Sequence, residues 1–199
     1  MKKILYSVAL LAATMIGFTS CDEEEKVDVK EQAVGDYTVT STYYWYDGKA
    51  LEDMELEDDE PAAAKVVLDG DGLKMTCDGD VVSIVKIAEA SNGFTFDVKE
   101  MSFTEEGQTY TLKGFNGYEL KSSDGKSVSY NGGYISANKT LEFYVELPTA
   151  DVAKMFAELF EGNEELATVF ANLSVVMKFT CVKTDSPKKA GVSKGFVLS

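Results

Sequence analysis

The strongest constraint on this chain is a recurring turn signal. Asp-Gly or Asn-Gly occurs at Asp47-Gly48, Asp69-Gly70, Asp71-Gly72, Asp78-Gly79, Asn92-Gly93, Asn116-Gly117, Asp124-Gly125 and Asn131-Gly132. These pairs suit tight hairpin turns, where the central residues need backbone angles that glycine and asparagine tolerate best. The runs between them alternate apolar and polar, the period of a half-buried strand. Phe94, Phe96 and Val98 alternate with Thr95, Asp97 and Lys99, and Leu141, Phe143, Val145 and Leu147 mark the clearest one-sided strand. At Met101 and Phe103 the alternation shifts by one, which predicts a bulge or turn near Glu100. Many short strands at hairpin spacing predict an all-β fold, an antiparallel barrel or sandwich.

One stretch breaks the pattern. Pro148 ends a strand, and Val152, Met155, Phe156, Leu159 and Phe160 then recur at helical spacing. Thr149 is the expected N-cap and Gly162 the expected stop. Leu166, Val169 and Phe170 form a second helical stripe before residues 173–182 return to strand. A short helical insertion, about 149–172, thus precedes the last strand. Its apolar stripe serves either as a lid or partner surface, or to close the core.

The start of the chain reads as an export signal. Lys2 and Lys3 precede an apolar run over residues 4–16, too short for the roughly 20 residues that span a bilayer. Phe18-Thr19-Ser20-Cys21 resembles the lipobox of bacterial lipoproteins, with Phe18 where that pattern usually has Leu. The resemblance implies cleavage after residue 20 and lipidation of Cys21. Each buried CH₂ contributes about 0.8 kcal/mol, so several acyl chains hold the protein on a membrane that it does not cross. The run Asp22-Glu23-Glu24-Glu25 resembles the export signal of surface lipoproteins in anaerobic gut bacteria; the alternative is a solvated linker. The expected location is the outer membrane, lipid-anchored, on either its periplasmic or its external face. The expected organisation is a signal over 1–20, an acidic tether over 21–34, a barrel over 35–184 and a basic tail over 185–199.

Composition then removes several chemistries. The chain carries 19 basic and 34 acidic residues, a formal charge of -15, with no histidine. Every basic residue is Lys. Without His there is no Ser-His-Asp or Cys-His machinery and no His-based metal site. Without Arg there is no planar fork for phosphate or carboxylate. So acidic a surface repels nucleic acid. Glu142 and Glu146 share a strand face but stand about 13 Å apart along it, beyond the roughly 5 to 9.5 Å of glycosidase pairs. No catalysis is expected.

The order of elements resembles the calycin or lipocalin-like barrel lipoproteins of gut bacteria, with Gly35-Asp36-Tyr37 where that family has a Gly-x-aromatic on its first strand. The resemblance covers about 35–183 and implies a lipocalin-like barrel that binds a small apolar or glycan ligand. In that reading the pocket opens at one barrel end and is lined by Tyr43, Trp45, Phe156 and Phe160. The competing reading is a structural or interaction module, its barrel filled by side chains and an apolar patch outside; its protein partner is not specified by the sequence. In a strand only Tyr43 with Trp45, or Tyr44 with Tyr46, share a face. Glu52, Asp53, Glu55, Glu57, Asp58, Asp59 and Glu60 lack EF-hand spacing, so the acidic loop reads as a solvated charge run, and neither metal nor cofactor is expected. Cys77 and Cys181 both fall on inward strand faces, where either a disulfide or two inert thiols would fit.

Overall fold

The computed structural model describes residues 28–54, 60–105, 107–121, 126–156 and 164–184. Residues 1–27, which include the expected signal and Cys21, together with Phe160, Gly162, residues 55–59 of the acidic loop and the tail from 185, lie outside the described residues.

Eight strands form one closed antiparallel barrel: β1 (Gly35–Tyr46), β3 (Ala62–Asp69), β4 (Gly72–Cys77), β5 (Asp80–Ala90), β6 (Gly93–Val98), β11 (Gly132–Ile135), β12 (Thr140–Leu147) and β13 (Ser174–Lys183). Each pairs with the next in this order, and β13 returns to β1 to seal the wall. Of the two architectures open to the sequence, the barrel is the one adopted. Two short α-helices, α1 (Thr149–Met155) and α2 (Glu164–Phe170), stand before the last strand, as the change of period predicts. The cap of α1 is Pro148 rather than Thr149. Among the described residues no helix is long and apolar enough to cross a membrane.

Side chains fill the barrel. Tyr37, Leu73, Met75, Ile84, Phe94, Phe96, Leu141 and Phe143 are all fully buried. Phe94 stacks on Tyr134 at 5.2 Å, and Phe143 on Phe179 at 4.9 Å. Eight strands give an interior just wide enough for such packing. The alternation seen in the sequence places these faces inward.

Two details depart from expectation, and a third chooses between alternatives. The segment before Gly35 is not all tether: Glu31–Ala33 forms a 3-10 turn, and Ala33 is fully buried. Its apolar content is too small to show as a pattern. β2 (Leu51–Asp53) forms where a loop was expected. It has a reason to: β3 pairs only with Gly35 to Val39, which leaves the upper edge of β1 free, and β2 occupies it from Tyr44 to Tyr46. Of the bulge or turn expected near Glu100, the turn is what forms. The chain turns there out of the barrel into β7 (Met101–Glu105), while the register irregularity lies in β5 between Val85 and Ala88, beside Lys86 at φ 52°.

β7 pairs with β8 (Gln108–Gly114), which joins β12 beyond the point where β11 stops. β9 (Tyr118–Lys121) and β10 (Ser127–Tyr130) form a separate hairpin. It covers the outer wall: Tyr118, Tyr144 and Val176 are buried there, packed with Tyr44, Tyr46, Phe115, Leu120 and Tyr130. Tyr44 and Tyr46 thus belong to a second apolar layer outside the barrel.

One buried polar residue ties these pieces together. The Asn131 Oδ1 accepts the amide of Val98 at 3.1 Å, its Nδ2 donates to Asn116 at 2.7 Å, and its carbonyl accepts the amide of Tyr144 at 2.8 Å. Asn131→Ala strands the Val98 amide in a buried site, so stability should fall by about 1–3 kcal/mol. Urea unfolding with an unchanged slope and a lower midpoint would register this loss.

Candidate functional site

The two barrel ends differ in kind. At the near end, where β1 begins, the connections are tight turns: Gly70-Asp71 between β3 and β4, Ser91-Asn92 between β5 and β6, and residues 136–139 between β11 and β12. The start of the first barrel strand and the end of the last meet here, the amide of Thr184 donating to the carbonyl of Asp36 at 2.8 Å. At the far end lie β2, the excursion β7 to β10, and both helices. Every described inserted element between barrel strands is therefore on one side.

The 3-10 turn plugs the near end. The Tyr37 hydroxyl donates to the carbonyl of Ala33 at 2.7 Å, and the Tyr134 hydroxyl and the Lys183 Nζ both donate to the carbonyl of Gln32, each at 2.9 Å. The Ser136 hydroxyl meets Gln32 Oε1 at 2.8 Å. Outside the plug lies an open depression of about 440 Å³, lined by Val29, Gln32, Ser91, Asn92, Ser136 and Ala137 among others. Its polar groups are amides and hydroxyls without formal charge.

The far end holds the aromatic residues singled out from the sequence. Tyr43 and Trp45 lie on the inner face of β1 and pack against the core. Trp45 meets Phe156 at 6.2 Å and Phe170 edge-on at 5.0 Å. Phe156 and Phe170 are themselves 6.2 Å apart. The helices therefore bring Trp45 and Phe156 together, with Phe170 as a third partner that the helical stripe contained but the site assignment did not. Phe160 lies outside the described residues. Tyr110 and Leu112 from β8 and Val152 from α1 are buried in the same continuous core. The Asp151 carboxylate, hydrogen-bonded to Lys154 and to the amide of Thr111, is held below the usual carboxylate range.

Acids and thiols in the wall are spoken for. Glu142 pairs with Lys178 at 2.9 Å on the outer face and accepts the Tyr144 hydroxyl at 3.1 Å. Burial, the largest single influence on Lys178, opposes its charge, but the hydrogen bonds and charges of Glu142 and Tyr144 together outweigh it and hold the ammonium above its ordinary range. Among the described residues no group of three or more Cys, Asp or Glu side chains is placed to hold a metal ion. Cys77 and Cys181 are free and buried. They sit on β4 and β13, with β3 and β1 between them in the wall, whereas a disulfide needs Cα atoms within 4.4–6.8 Å. The Cys181 thiol instead faces the sulfur of Met75 at 3.9 Å.

These thiols make an alkaline prediction. Burial pushes Cys77 up to about 11 and Cys181 up to about 12, against 9.0 for an ordinary thiol. Burial likewise raises Tyr37, Tyr118, Tyr134 and Tyr144. The folded chain then holds more protons than the unfolded one above the thiols' ordinary value, so stability is full below it and declines as pH rises through the folded values. The urea midpoint should fall across that interval, and a Cys77→Ala, Cys181→Ala double variant should lose part of the slope.

Comparison with protein-family models finds no match, and no curated protein or solved structure matches the chain either.

Proposed function

We propose that this chain is a lipid-anchored, non-catalytic interaction module of the bacterial outer membrane, whose barrel interior is scaffold and whose recognition surfaces lie outside. The observation that carries this reading is the filled interior, with Tyr37, Phe94, Phe96 and Phe143 fully buried where a ligand would otherwise lie. The one-sided placement of the inserted elements supports it: the tether reaches the fold at the near end and leaves the far end to partners. Catalytic function has no support from the paired groups described above.

The test joins anchoring to interior. Wild-type protein should partition with membranes and incorporate labelled palmitate, while Cys21→Ala should appear in the soluble fraction without label. The neutral dye N-phenylnaphthylamine should gain no saturable fluorescence with the purified variant. A Cys21→Ala protein that stays equally membrane-bound would sink the anchor, and a saturable dye site would sink the scaffold reading.

The near-end depression favours a second reading, in which a small ligand binds there. Its size falls within the range of small-molecule sites, and its uncharged amides and hydroxyls suit a glycan better than an apolar molecule. Saturable thermal stabilisation by oligosaccharides would support it.

A further inference from the structure

The β7–β8 hairpin continues the wall past the end of β11, and β8 joins β12 only at Lys113 and Gly114. Further along, the side of β8 that faces α1 is occupied: Asp151 Oδ2 accepts the amide of Thr111 at 3.0 Å. That bond fixes the parity of the ladder. Thr111 stands opposite Ser102 and Thr109 opposite Thr104. In an antiparallel pair, opposed residues alternately exchange both backbone hydrogen bonds and exchange none. Since the Thr111 amide turns away from β7, its pair is of the second kind. Ser102 and Thr104 must then turn their amides and carbonyls away from β8 as well. They face the last edge of the sheet, where no described strand pairs with β7.

Sheet edges are normally guarded by Lys, Pro or a bulge. Met101-Ser102-Phe103-Thr104 has neither residue, and its register with β8 is unbroken. Met101 and Phe103 anchor the strand against the core, Phe103 stacking on Tyr110 at 5.1 Å, while Ser102 and Thr104 are exposed. The flanks are acidic: Glu100 before, Glu105 and Glu106 after.

We propose that β7 receives an added strand from a partner protein: an extended segment with an uncharged centre and basic residues at both ends. Backbone bonds to Ser102 and Thr104 would supply the pairing, as in other strand-addition complexes, and the acidic charge of the chain, with Glu100 beside the strand, would select the basic flanks. A second copy fits poorly, because it would bring together two chains of charge -15. This inference rests on the interaction-module reading and specifies one of its surfaces.

The probe is a labelled synthetic peptide, Lys-Lys-Val-Thr-Val-Lys-Lys, followed by fluorescence anisotropy with the Cys21→Ala protein. Binding should saturate and weaken as salt is raised. Thr104→Pro deletes an amide that points to the free edge without removing a ladder bond, so it should keep the fold and weaken binding by about tenfold or more. Ser102→Pro, the second variant, should do the same. Absence of binding to the Cys21→Ala protein, equal binding by both folded proline variants in that background, or a Thr104→Pro-sensitive dimer in sedimentation would overturn the proposal. None of these outcomes bears on palmitate labelling or the dye test, so the two readings fail separately.

Discussion

Phe143→Ala should lower the stability of the fold by about 3–5 kcal/mol, the usual range for removing a buried phenylalanine. Within that range the upper half is expected here. Phe143 is completely buried on β12 and its ring stacks on Phe179 from β13. Its neighbour across the ladder on β11 is Gly132, which has no side chain to move into the space. The wall is sealed on both sides, so the strands cannot simply approach each other. A urea titration read by near-ultraviolet circular dichroism would measure the loss; a change below about 1 kcal/mol would mean that the interior is not packed as described.

Gly93→Ala should cost about 2–5 kcal/mol, combining backbone strain with a steric clash. Gly93 opens β6 at φ 149°, a conformation that side-chain-bearing residues rarely adopt. A Cβ there would fall on the carbonyl oxygen of Tyr134 in the partner strand. That obstacle is backbone, so relief requires β6 and β11 to part at their seam. Gly70 supplies the control: at φ 57° nothing lies within 4 Å of the added atom. Asparagine tolerates that conformation, so Gly70→Asn should leave the thermal midpoint almost unchanged. Equal effects at the two sites would refute the steric argument.

Much of the barrel was legible because its causes are local. Turn pairs such as Asp78-Gly79 and Asn92-Gly93 mark strand ends, and period-two alternation tells which side of β6 or β12 faces inward. The change to helical spacing after Pro148 is equally local. What the sequence hid depends on contacts between distant segments. β2 forms because β3 covers only half of β1, and the 3-10 plug forms because Tyr37 and Tyr134 offer hydroxyls to it. Neither leaves a periodic trace. The same holds for Tyr44 and Tyr46, which alternate outward like rim residues but meet the β9–β10 hairpin, and for Asn131, an ordinary turn asparagine until Val98 and Asn116 come alongside. At the candidate site, Tyr43 and Trp45 could be placed on one face from spacing alone. Their meeting with α1 and α2 could not, and the depression around Gln32 and Asn92 is built from turn residues that carry no pattern.

The hydrogen bond between Thr184 and Asp36 joins the two ends of the described fold, and it has a kinetic side. Strand β1 finds β3 soon after synthesis, but its other neighbour arrives some 140 positions later, as Val39 opposite Cys181 shows. Pairings so remote in the chain are slow to form, since a long loop must close before any contact rewards it. The first strand therefore waits, half satisfied, until the last one emerges. Any factor that escorts this polypeptide would have the most to shield along that single open flank.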